Sequence, residues 1–374
     1  MKKILCILQL PPPIGGVTVI NQHIIDSPII NSQYKLEIIP LQFTKSIKTI
    51  GTINSTKIFL FINVLWQIFL KLIKDRYGAA YFSINLTGIA FYRDLAIVLL
   101  LKLFHTKIIY HLHGKGQKTN YTIGKNNITT TLYRWAFNNT HVVMISPLLY
   151  PEVSGFISEK QISYLPNAII PTITDTMLAE AMEKKKQKTI PQLFFLGHMW
   201  KLKGVYVLVE ALSLLNKSGI EFYAKFVGTE HDISANDFAT KLKEMNLTAK
   251  VEYCGPKYGQ EKTDLYLQSD IFVFPTLNDA FGIVNIEAME AGLPVISSIE
   301  GAIPEIIDDG ITGYLVPKYD IAVLSDKIKE LIKNPNLRIN MGKEGRKKFL
   351  ATYTIDKFEN GLSNIFDTII KKHE

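Results

Sequence analysis

One pattern recurs twelve times along this chain: a short, continuous apolar run rich in β-branched residues, then a break at Gly, Pro or Asn and, in most cases, a longer helical stretch. Apolar runs without alternation are typical of strands covered on both faces, as in parallel sheets joined by helices. The runs occupy residues 3–10, 36–43, 79–85, 107–113, 141–146, 161–167, 192–197, 222–228, 250–255, 270–276, 294–298 and 313–317. The pattern predicts an α/β fold with two doubly wound, Rossmann-like parallel-sheet domains.

The chain length supports two domains, because 374 residues is more than twice the ~150 residues of an ordinary domain. A polar, charged segment at 171–189 separates the two sets of runs and is the predicted linker. We therefore expect one domain at 1–170 and a second at 190–352. Open parallel sheets bind ligands beyond the carboxyl ends of their strands, so we expect the two domains to face a cleft that holds the site.

Composition excludes several classes of protein. With 47% hydrophobic and 20% charged residues, the chain has enough apolar material for folded cores. Cys6 and Cys254 lie far apart, which argues against a disulfide framework or a zinc site and fits a cytoplasmic setting. The longest apolar stretch, at 58–73, is shorter than the ~20 residues needed to span a bilayer, so a transmembrane protein is not expected.

The first half of the chain is basic. Residues 1–174 contain 17 Lys and Arg against 6 Asp and Glu, a net charge of +11, whereas the remaining residues have a net charge of −3. Such a half-molecule attracts nucleic acid, anionic lipid or a phosphorylated ligand. The chain has no zinc-finger pattern and no aromatic-rich single-strand motif, so nucleic acid is the least favoured of these partners.

A helix predicted at 57–76 suggests where a membrane would be contacted. Asn63, Gln67 and Lys71 recur every four residues and form a narrow polar stripe on an otherwise apolar helix. Two interpretations remain open: contact with the inner face of the cell membrane, or an ordinary buried crossover helix.

Two loops of the first half contain candidate binding residues. Gly15 and Gly16 open a helix after the first strand, which allows a ligand to approach backbone amides or simply provides a tight turn with positive φ. His111 and His113 end the fourth strand. A His above a site donates to a substrate oxygen, whereas for His111 we expect a solvated or capping role.

The second half has a lysine and two carboxylates after its strands. Lys203 precedes a helix, where its charge adds to the positive end of the helix dipole and suits a diphosphate, although a solvated lysine is the alternative. Asp279, Gly282 and Glu287 follow the tenth strand. They predict a hydroxyl-binding carboxylate pair around an anion site. Alternatively, Asp279 caps the helix and Glu287 favours its positive end.

These motifs resemble family 4 of the retaining glycosyltransferases, which have the two-domain GT-B fold. The segment DAFGIVNIEAMEAGLPVI is similar to the family's Glu, seven residues, Glu pattern, with Asp279 in place of the first Glu. GAIPEIIDDGITGYLVP resembles a second family segment, and GHMWKLKG resembles a third, with Lys203 in the lysine position and His198 where arginine is usual. PPPIGG, HLHG and YLPNA resemble family segments in the first half.

The resemblance implies a role for each matching residue. Lys203 and His198 would lie at the diphosphate of a nucleotide-sugar donor, Glu287 at the ribose, Asp279 at the donor sugar and His113 near the transferred sugar. Backbone amides would complete the diphosphate site, from Gly16, Phe281, Gly282, Ile283 and Val284. His113, Asp279 and Lys203 would be the catalytic residues. The domain at 1–170 would lie on the acceptor side, the domain at 190–352 would bind the nucleotide-sugar donor, and a final helix at about 353–374 would cross back to the first domain.

The implied activity is transfer of a sugar, by default from a UDP-sugar, to a hydroxyl of a glycan or lipid-linked acceptor in cell-surface polysaccharide synthesis. No metal or cofactor is expected, because a helix dipole and Lys203 stabilise the leaving diphosphate and no Asp-x-Asp motif is present. Two alternatives remain: a nucleotide-sugar 2-epimerase of the same architecture, and a non-catalytic member. The donor base and sugar, the acceptor and the oligomeric state are not encoded in recognisable motifs.

Overall fold

The computed structural model describes residues 1–12, 15–42, 55–115 and 127–371. Contacts between Cα atoms divide the chain into two compact units. Unit 1 comprises Met1–Asn167 together with Ile355–Glu374, and unit 2 comprises Ala168–Thr354. Each unit is built around one six-stranded parallel sheet. The structure thus confirms the predicted α/β fold class.

The sheet of unit 1 has the strand order β2-β1-β3-β4-β5-β6. Its strands are β1 (Lys2–Leu8), β2 (Tyr34–Pro40), β3 (Ala79–Phe82), β4 (Ile108–Leu112), β5 (His141–Met144) and β6 (Ile162–Tyr164). The central position of β1 explains its apolar sequence, since every residue from Ile4 to Leu8 is fully buried. The order reverses between β1 and β3, which are neighbours although β2 lies between them in sequence.

The strands of unit 1 are connected mainly by helices. The helices are α1 (Gly16–Asp26), α2 (Pro28–Gln33), α3 (Ser55–Lys74), α4 (Gly88–Leu103) and α5 (Asn127–Phe137), with short 3-10 helices at Pro147–Glu152 and Glu159–Gln161. At the start of α2 the Ser27 hydroxyl accepts the Ile30 N–H, and Pro28 occupies the first helical position.

The helix α3 is longer than the apolar stretch at 58–73, whose length argued against a membrane span. It has 20 residues, because polar residues extend the helix at both ends of the apolar stretch, so by length and composition it is able to cross a membrane. In the fold it is the crossover between β2 and β3 and buries one narrow face, formed by Val64, Ile68 and Leu72. The helix α3 is therefore part of the fold of unit 1, but it buries only one narrow face, unlike an ordinary buried crossover helix.

The sheet of unit 2 has the order β12-β11-β10-β7-β8-β9. Its strands are β7 (Gln192–Leu196), β8 (Tyr223–Val227), β9 (Val251–Tyr253), β10 (Ile271–Phe274), β11 (Val295–Ser298) and β12 (Gly313–Val316). The order reverses between the two central strands, β7 and β10, with Ile271 paired with Leu193. Each of the twelve predicted apolar runs thus overlaps one strand.

Helices also connect the strands of unit 2. They are α6 (Asp175–Lys186), α7 (Val205–Lys217), α8 (Ala235–Glu244), α9 (Gly259–Gln268), α10 (Ile283–Glu290), α11 (Ile303–Ile306), α12 (Ile321–Lys333) and α13 (Pro335–Thr352), with a 3-10 turn at Lys201–Lys203. Capping side chains set several helix starts. For example, the Ser234 hydroxyl accepts the Asp237 N–H and the Asp320 carboxylate accepts the Val323 N–H.

The segment 171–189, expected to be the linker, lies inside unit 2 and contains α6. Its backbone is held by the Glu290 carboxylate, which accepts the N–H groups of Thr172 and Ile173. The Arg346 guanidinium donates to the Ile173 carbonyl at 3.0 Å and to Asp175 at 2.8 Å. Because a polar sequence does not reveal these long-range contacts, composition alone indicated a linker where the structure has a packed helix.

The last helix, α14 (Ile355–Lys371), belongs to unit 1. Phe358, Leu362, Phe366 and Ile370 recur every four residues and are buried. The Phe366 ring contacts Tyr81 edge to face at 5.4 Å between centroids. Residues 372–374, which the sequence placed in this helix, lie outside the described residues.

Gly204, just before α7, is required by its surroundings. Its φ is +77° and an added Cβ would lie 1.9 Å from the Pro275 carbonyl oxygen. We expect Gly204→Ala to lower the free energy of unfolding by more than the ~1–2 kcal/mol that left-handed backbone alone costs. Gly219→Ala is the matched control, since Gly219 has φ +67° and open space around it. Urea unfolding of both variants measures the difference, and equal losses would contradict the steric argument.

Candidate functional site

The loops after β7 and β10 bring Lys203 and Asp279 together at the reversal of strand order in unit 2. The Lys203 Nζ lies 2.6 Å from the Asp279 Oδ2 and 3.1 Å from the Asn278 carbonyl oxygen. The two side chains are 17% and 19% exposed, so this ion pair is only partly screened by solvent. Such a reversal is where doubly wound sheets bind ligands.

Asp279 also holds the loop that leads into α10. Its Oδ1 accepts the N–H groups of Phe281 at 3.1 Å and Gly282 at 2.8 Å. These amides precede the helix, whose N-cap is Gly282 without a capping side chain, so the capping role considered from the sequence is not made. Of the four amides expected at the diphosphate from this segment, two are occupied by this carboxylate, whereas those of Ile283 and Val284 are first-turn amides without an acceptor inside the helix.

Glu287 is held by two residues of α9. The Lys262 Nζ lies 2.8 Å from its Oε1, and the Tyr266 hydroxyl donates to its Oε2 at 2.9 Å. Glu287 is 17% exposed. Lys262 and Tyr266 were not identified from the sequence, because α9 meets α10 only in the folded sheet and no local spacing indicates it.

Two further residues near Asp279 were also missed. The Glu300 carboxylate accepts the Asp279 N–H at 3.3 Å and pairs with Lys318 at 2.7 Å. The Asn285 side chain is fully buried below Gly282, and neither of its polar atoms has a hydrogen-bond partner among the described residues. An Asn inside a helix gives no sequence signal of such burial.

His198 lies beside an aromatic cluster. Burial lowers its pKa, and nearby Lys203 and His231 lower it further, so the imidazole is neutral at pH 7. The His231 ring packs against Trp200 at 4.9 Å between centroids. The Lys203 Nζ lies 5.9 Å from the Trp200 ring centroid. Lys203 therefore carries a permanent positive charge beside these rings, and the neutral His198 adds no charge.

The glycines before α1 belong to unit 1. Gly15 is the N-cap with φ −159°, and Gly16 is the first helical residue. Neither has positive φ, so the tight turn proposed from the sequence does not explain them. A Cβ at Gly15 would meet only the Thr18 Oγ1, at 4.0 Å. The approach of a ligand to the α1 amides stays a prediction. Pro13 and Ile14 lie outside the described residues.

His111 and His113 lie side by side in unit 1, with ring centroids 3.8 Å apart. His111 is fully buried and its Nδ1 bonds the Tyr81 hydroxyl. The expectation that His111 is solvated or caps an end was wrong, because β4 is a central strand. Burial lowers the pKa of His113 to about 4, and the neighbouring Asn167 side chain offsets part of that shift.

Comparison with known proteins identifies the part of the chain that contains Lys203, Asp279 and Glu287. Residues 179–348 match the family described as glycosyl transferases group 1. The region is similar to that family, and we call residues 179–348 the group 1 domain. The group 1 domain covers most of unit 2, including every donor-site residue predicted in the second half of the chain.

Curated relatives match about half of the chain. The capsular polysaccharide biosynthesis glycosyltransferase CapM of Staphylococcus aureus is 27% identical over 200 residues, 52% of this chain and 51% of CapM. The D-inositol 3-phosphate glycosyltransferase of Corynebacterium kroppenstedtii is 27% identical over 183 residues, 48% of this chain and 40% of that protein. The chain thus spans about half the length, or less, of these two relatives, both of which are glycosyltransferases by name.

Solved structures show the same fold over nearly the whole chain. A glycosyltransferase from Rickettsia africae ESF-5 has a TM-score of 0.79 and 21% identity, with 99% of both chains covered. HepE from Anabaena, in complex with UDP and glucose, has a TM-score of 0.72 and 14% identity, covering 98% of this chain and 100% of HepE. These likenesses confirm the GT-B type of fold.

The Asp279 contacts predict how the group 1 domain binds an anion. An anion at Lys203 and α10 must displace the Asp279 carboxylate, whereas an amide at that position still accepts the Phe281 and Gly282 N–H groups without competing for Lys203. We expect Asp279→Asn to tighten binding of inorganic pyrophosphate about tenfold, or ~1.4 kcal/mol. Calorimetry measures this.

Asp320→Asn is the matched control for Asp279→Asn, because Asp320 caps α12 through the Val323 N–H. It should leave pyrophosphate affinity unchanged. Unchanged or weaker binding by Asp279→Asn would show that pyrophosphate binds away from Lys203.

Proposed function

We propose that this chain is a retaining glycosyltransferase that transfers a sugar from a nucleotide-sugar donor to a hydroxyl of a glycan or lipid-linked acceptor. The observation that carries the proposal is the grouping of Lys203, the first turn of α10 and Glu287 within the group 1 domain. A cation and helix-start amides suit a diphosphate, and a carboxylate suits the ribose hydroxyls beside it.

The proposed donor is a UDP-sugar. HepE, whose fold this chain shares, is described in complex with UDP and glucose, and the likeness supports UDP as the first nucleotide to test. For the acceptor, similarity to CapM supports a role in cell-surface polysaccharide synthesis.

In the proposed reaction the acceptor oxygen bonds to the anomeric carbon on the face from which the diphosphate oxygen departs, so the configuration is retained. The acceptor proton passes to the departing diphosphate oxygen, and the nucleoside diphosphate leaves with the electrons of the broken bond. Lys203 and the amides of Ile283 and Val284 stabilise the developing charge, which is the largest need of such a step. Asp279 is released from Lys203 when the diphosphate binds, and its carboxylate then accepts hydrogen bonds from the donor sugar.

His113 is the proposed catalytic residue of unit 1, near the transferred sugar. Its low pKa keeps the ring neutral at pH 7, so it exchanges hydrogen bonds with hydroxyls and contributes no charge. Gly16 is proposed to admit the diphosphate to the α1 amides. His198 contributes a neutral ring beside Lys203.

We propose that transfer needs no metal ion, because Lys203 and the α10 amides provide the positive potential that the leaving diphosphate requires. Assays with and without EDTA test this point directly. A rate that falls on chelation and returns with Mg²⁺ or Mn²⁺ would contradict it.

Two other activities fit the same fold, a nucleotide-sugar 2-epimerase and a non-catalytic nucleotide-binding protein. Incubating a panel of nucleotide sugars without acceptor separates them. A transferase gives only slow hydrolysis, an epimerase gives a new sugar isomer, and a non-catalytic protein gives neither product at any enzyme concentration.

Two variants test the nucleotide site. Lys203→Met should weaken both UDP and pyrophosphate and lower turnover about 100-fold, since it removes a charged donor to the leaving group. Glu287→Gln should weaken the binding of UDP by ~1–3 kcal/mol and leave the binding of pyrophosphate unchanged, because only UDP carries the ribose. Calorimetry with both ligands shows the contrast.

Glu330→Gln is a matched control for Glu287→Gln, since Glu330 also accepts from a tyrosine, Tyr314 at 2.7 Å, and a lysine, Lys327 at 3.0 Å. It should not change UDP binding. Equal losses of UDP affinity from the Glu287 and Glu330 variants would indicate general destabilisation and would contradict the ribose assignment.

We also propose that unit 1 docks on the anionic, cytoplasmic face of the cell membrane through α3. Six large apolar side chains of this helix are 47% or more exposed and follow one another at helical spacing: Ile58, Phe59, Ile62, Trp66, Leu70 and Ile73. On the neighbouring α4, Leu99 and Leu103 are 48% and 64% exposed. The net charge of +11 in residues 1–174 complements anionic lipid beside this apolar surface.

The double substitution Phe59→Ser with Trp66→Ser should lower binding to phosphatidylglycerol-containing vesicles at least tenfold, because it removes two large side chains that insert into the interface. Leu350→Gln, which removes an exposed apolar side chain from α13, is the control. Co-sedimentation at low and high salt, with pure phosphatidylcholine vesicles for comparison, measures the apolar and the electrostatic contributions to binding. Equal binding to both lipids, or no binding, would contradict the proposal.

A further inference from the structure

The backbone of Asp279 is held by the loop that follows the neighbouring strand, β11. The Glu300 Oε1 accepts the Asp279 N–H at 3.3 Å, and the Ala302 N–H donates to the Ala280 carbonyl oxygen at 2.9 Å. Gly301 permits this close approach, because its φ is +54° and an added Cβ would lie 2.4 Å from the Asp279 carbonyl oxygen. The loops after β10 and β11 are therefore fixed to each other at the position of Asp279.

The Glu300 carboxylate is buried and needs partners for its charge. Its side chain is 5% exposed, and the Lys318 Nζ, from the loop after β12, lies 2.7 Å from the Glu300 Oε2. One carboxylate oxygen thus faces Lys318 and the other faces the Asp279 amide. Because Lys318 fixes one oxygen, the other is presented to Asp279 in one geometry.

The contacts of Asp279 with Glu300 and with Lys203 are made by different parts of the residue. The main-chain N–H donates to Glu300, whereas the side-chain Oδ2 lies 2.6 Å from the Lys203 Nζ. The carboxylate can therefore leave Lys203 without breaking the hydrogen bond that holds the backbone. An anion at Lys203 would displace the side chain of Asp279 and leave its loop in place.

Stability alone does not account for a buried Glu300. Apolar side chains of similar volume often stabilise a fold as well as a buried ion pair does, because the pair loses its hydration. A carboxylate at this position does what an apolar side chain does not, since it accepts the Asp279 N–H and fixes that residue. The contacts of Glu300 thus point to the geometry of Asp279.

We propose that Glu300 is a positioning residue for Asp279, and that Lys318 neutralises and orients Glu300. The hydrogen bond from Asp279 keeps its carboxylate directed at Lys203 before an anion binds, and it keeps the Asp279 backbone in place once the side chain is released. Glu300 acts through Asp279 and requires no contact with the ligand. The benefit of this fixed geometry for binding the donor sugar rests on the proposed function.

Two variants of Glu300 separate geometry from charge. Glu300→Asp keeps the charge but is one methylene shorter, so its carboxylate withdraws from the Asp279 N–H. Glu300→Gln keeps an acceptor oxygen for that N–H but loses the charge. The probe is inorganic pyrophosphate, whose binding to the full chain is measured by calorimetry in two backgrounds, with Asp279 present and with Asp279→Asn.

With Asp279 present, we expect Glu300→Asp to tighten pyrophosphate binding about three- to fivefold, because a less firmly held carboxylate is displaced from Lys203 more easily. In the Asp279→Asn background the same substitution should change the affinity by less than about twofold, since no carboxylate competes for Lys203. Glu300→Gln should tighten binding by the same factor in both backgrounds, because it changes only the charge near the anion.

Glu330→Asp is the matched control, because Glu330 also pairs with a lysine, Lys327 at 3.0 Å, but lies in α12. It should leave pyrophosphate affinity unchanged in both backgrounds. Equal effects of Glu300→Asp with and without Asp279 would show that Glu300 does not act through Asp279 and would overturn the proposal. Weaker binding by Glu300→Asp, or no binding of pyrophosphate by any form of the chain, would overturn it as well.

UDP calorimetry on the unsubstituted chain separates this proposal from the proposed function. If UDP binds and the effect of Glu300→Asp is the same in both backgrounds, the positioning role is wrong and glycosyl transfer stands. If the effect requires Asp279 and UDP does not bind, Glu300 positions Asp279 at an anion site and the proposed transfer is wrong.

Discussion

The reversal of strand order within each parallel sheet is the constraint on which both crevices depend. At the reversal, the connections of two neighbouring strands leave in opposite directions. No crossover then covers the carboxyl ends of these strands, so a crevice forms there. In unit 2 the crevice lies between β7 and β10 and is lined by charged groups and helix-start amides. In unit 1 it lies between β1 and β3 and is lined mainly by uncharged groups. The same topology thus produces two crevices of different polarity.

Electrostatic balance explains how the group 1 domain holds a cation and a carboxylate side by side before α10. Asp279 neutralises Lys203 and also satisfies two amides before α10. The pair avoids the cost of an unpaired, partly buried charge. Glu287 is balanced in the same way by Lys262. A ligand therefore has to replace existing contacts, and its affinity is the difference between the new contacts and the old ones.

Unit 1 departs from ordinary packing in two places. The apolar face of α3 is exposed although apolar residues are normally covered, and the imidazoles of His111 and His113 are buried although polar groups normally have partners. Each departure has a free-energy cost in the isolated chain. Under the proposed membrane docking, a lipid surface offsets the first cost.

The sequence by itself determined the fold class, the place of all twelve strands and the positions of Lys203, Asp279 and Glu287 after strands, because strand period, breaks and turn residues are local properties. Only the tertiary structure decided which groups meet. Lys262 and Tyr266 reach Glu287 from another helix, Glu290 holds the segment at 171–189 inside unit 2, and His111 is buried because β4 is central. Such contacts depend on strand order and helix packing, which join residues far apart in sequence and leave no local signal.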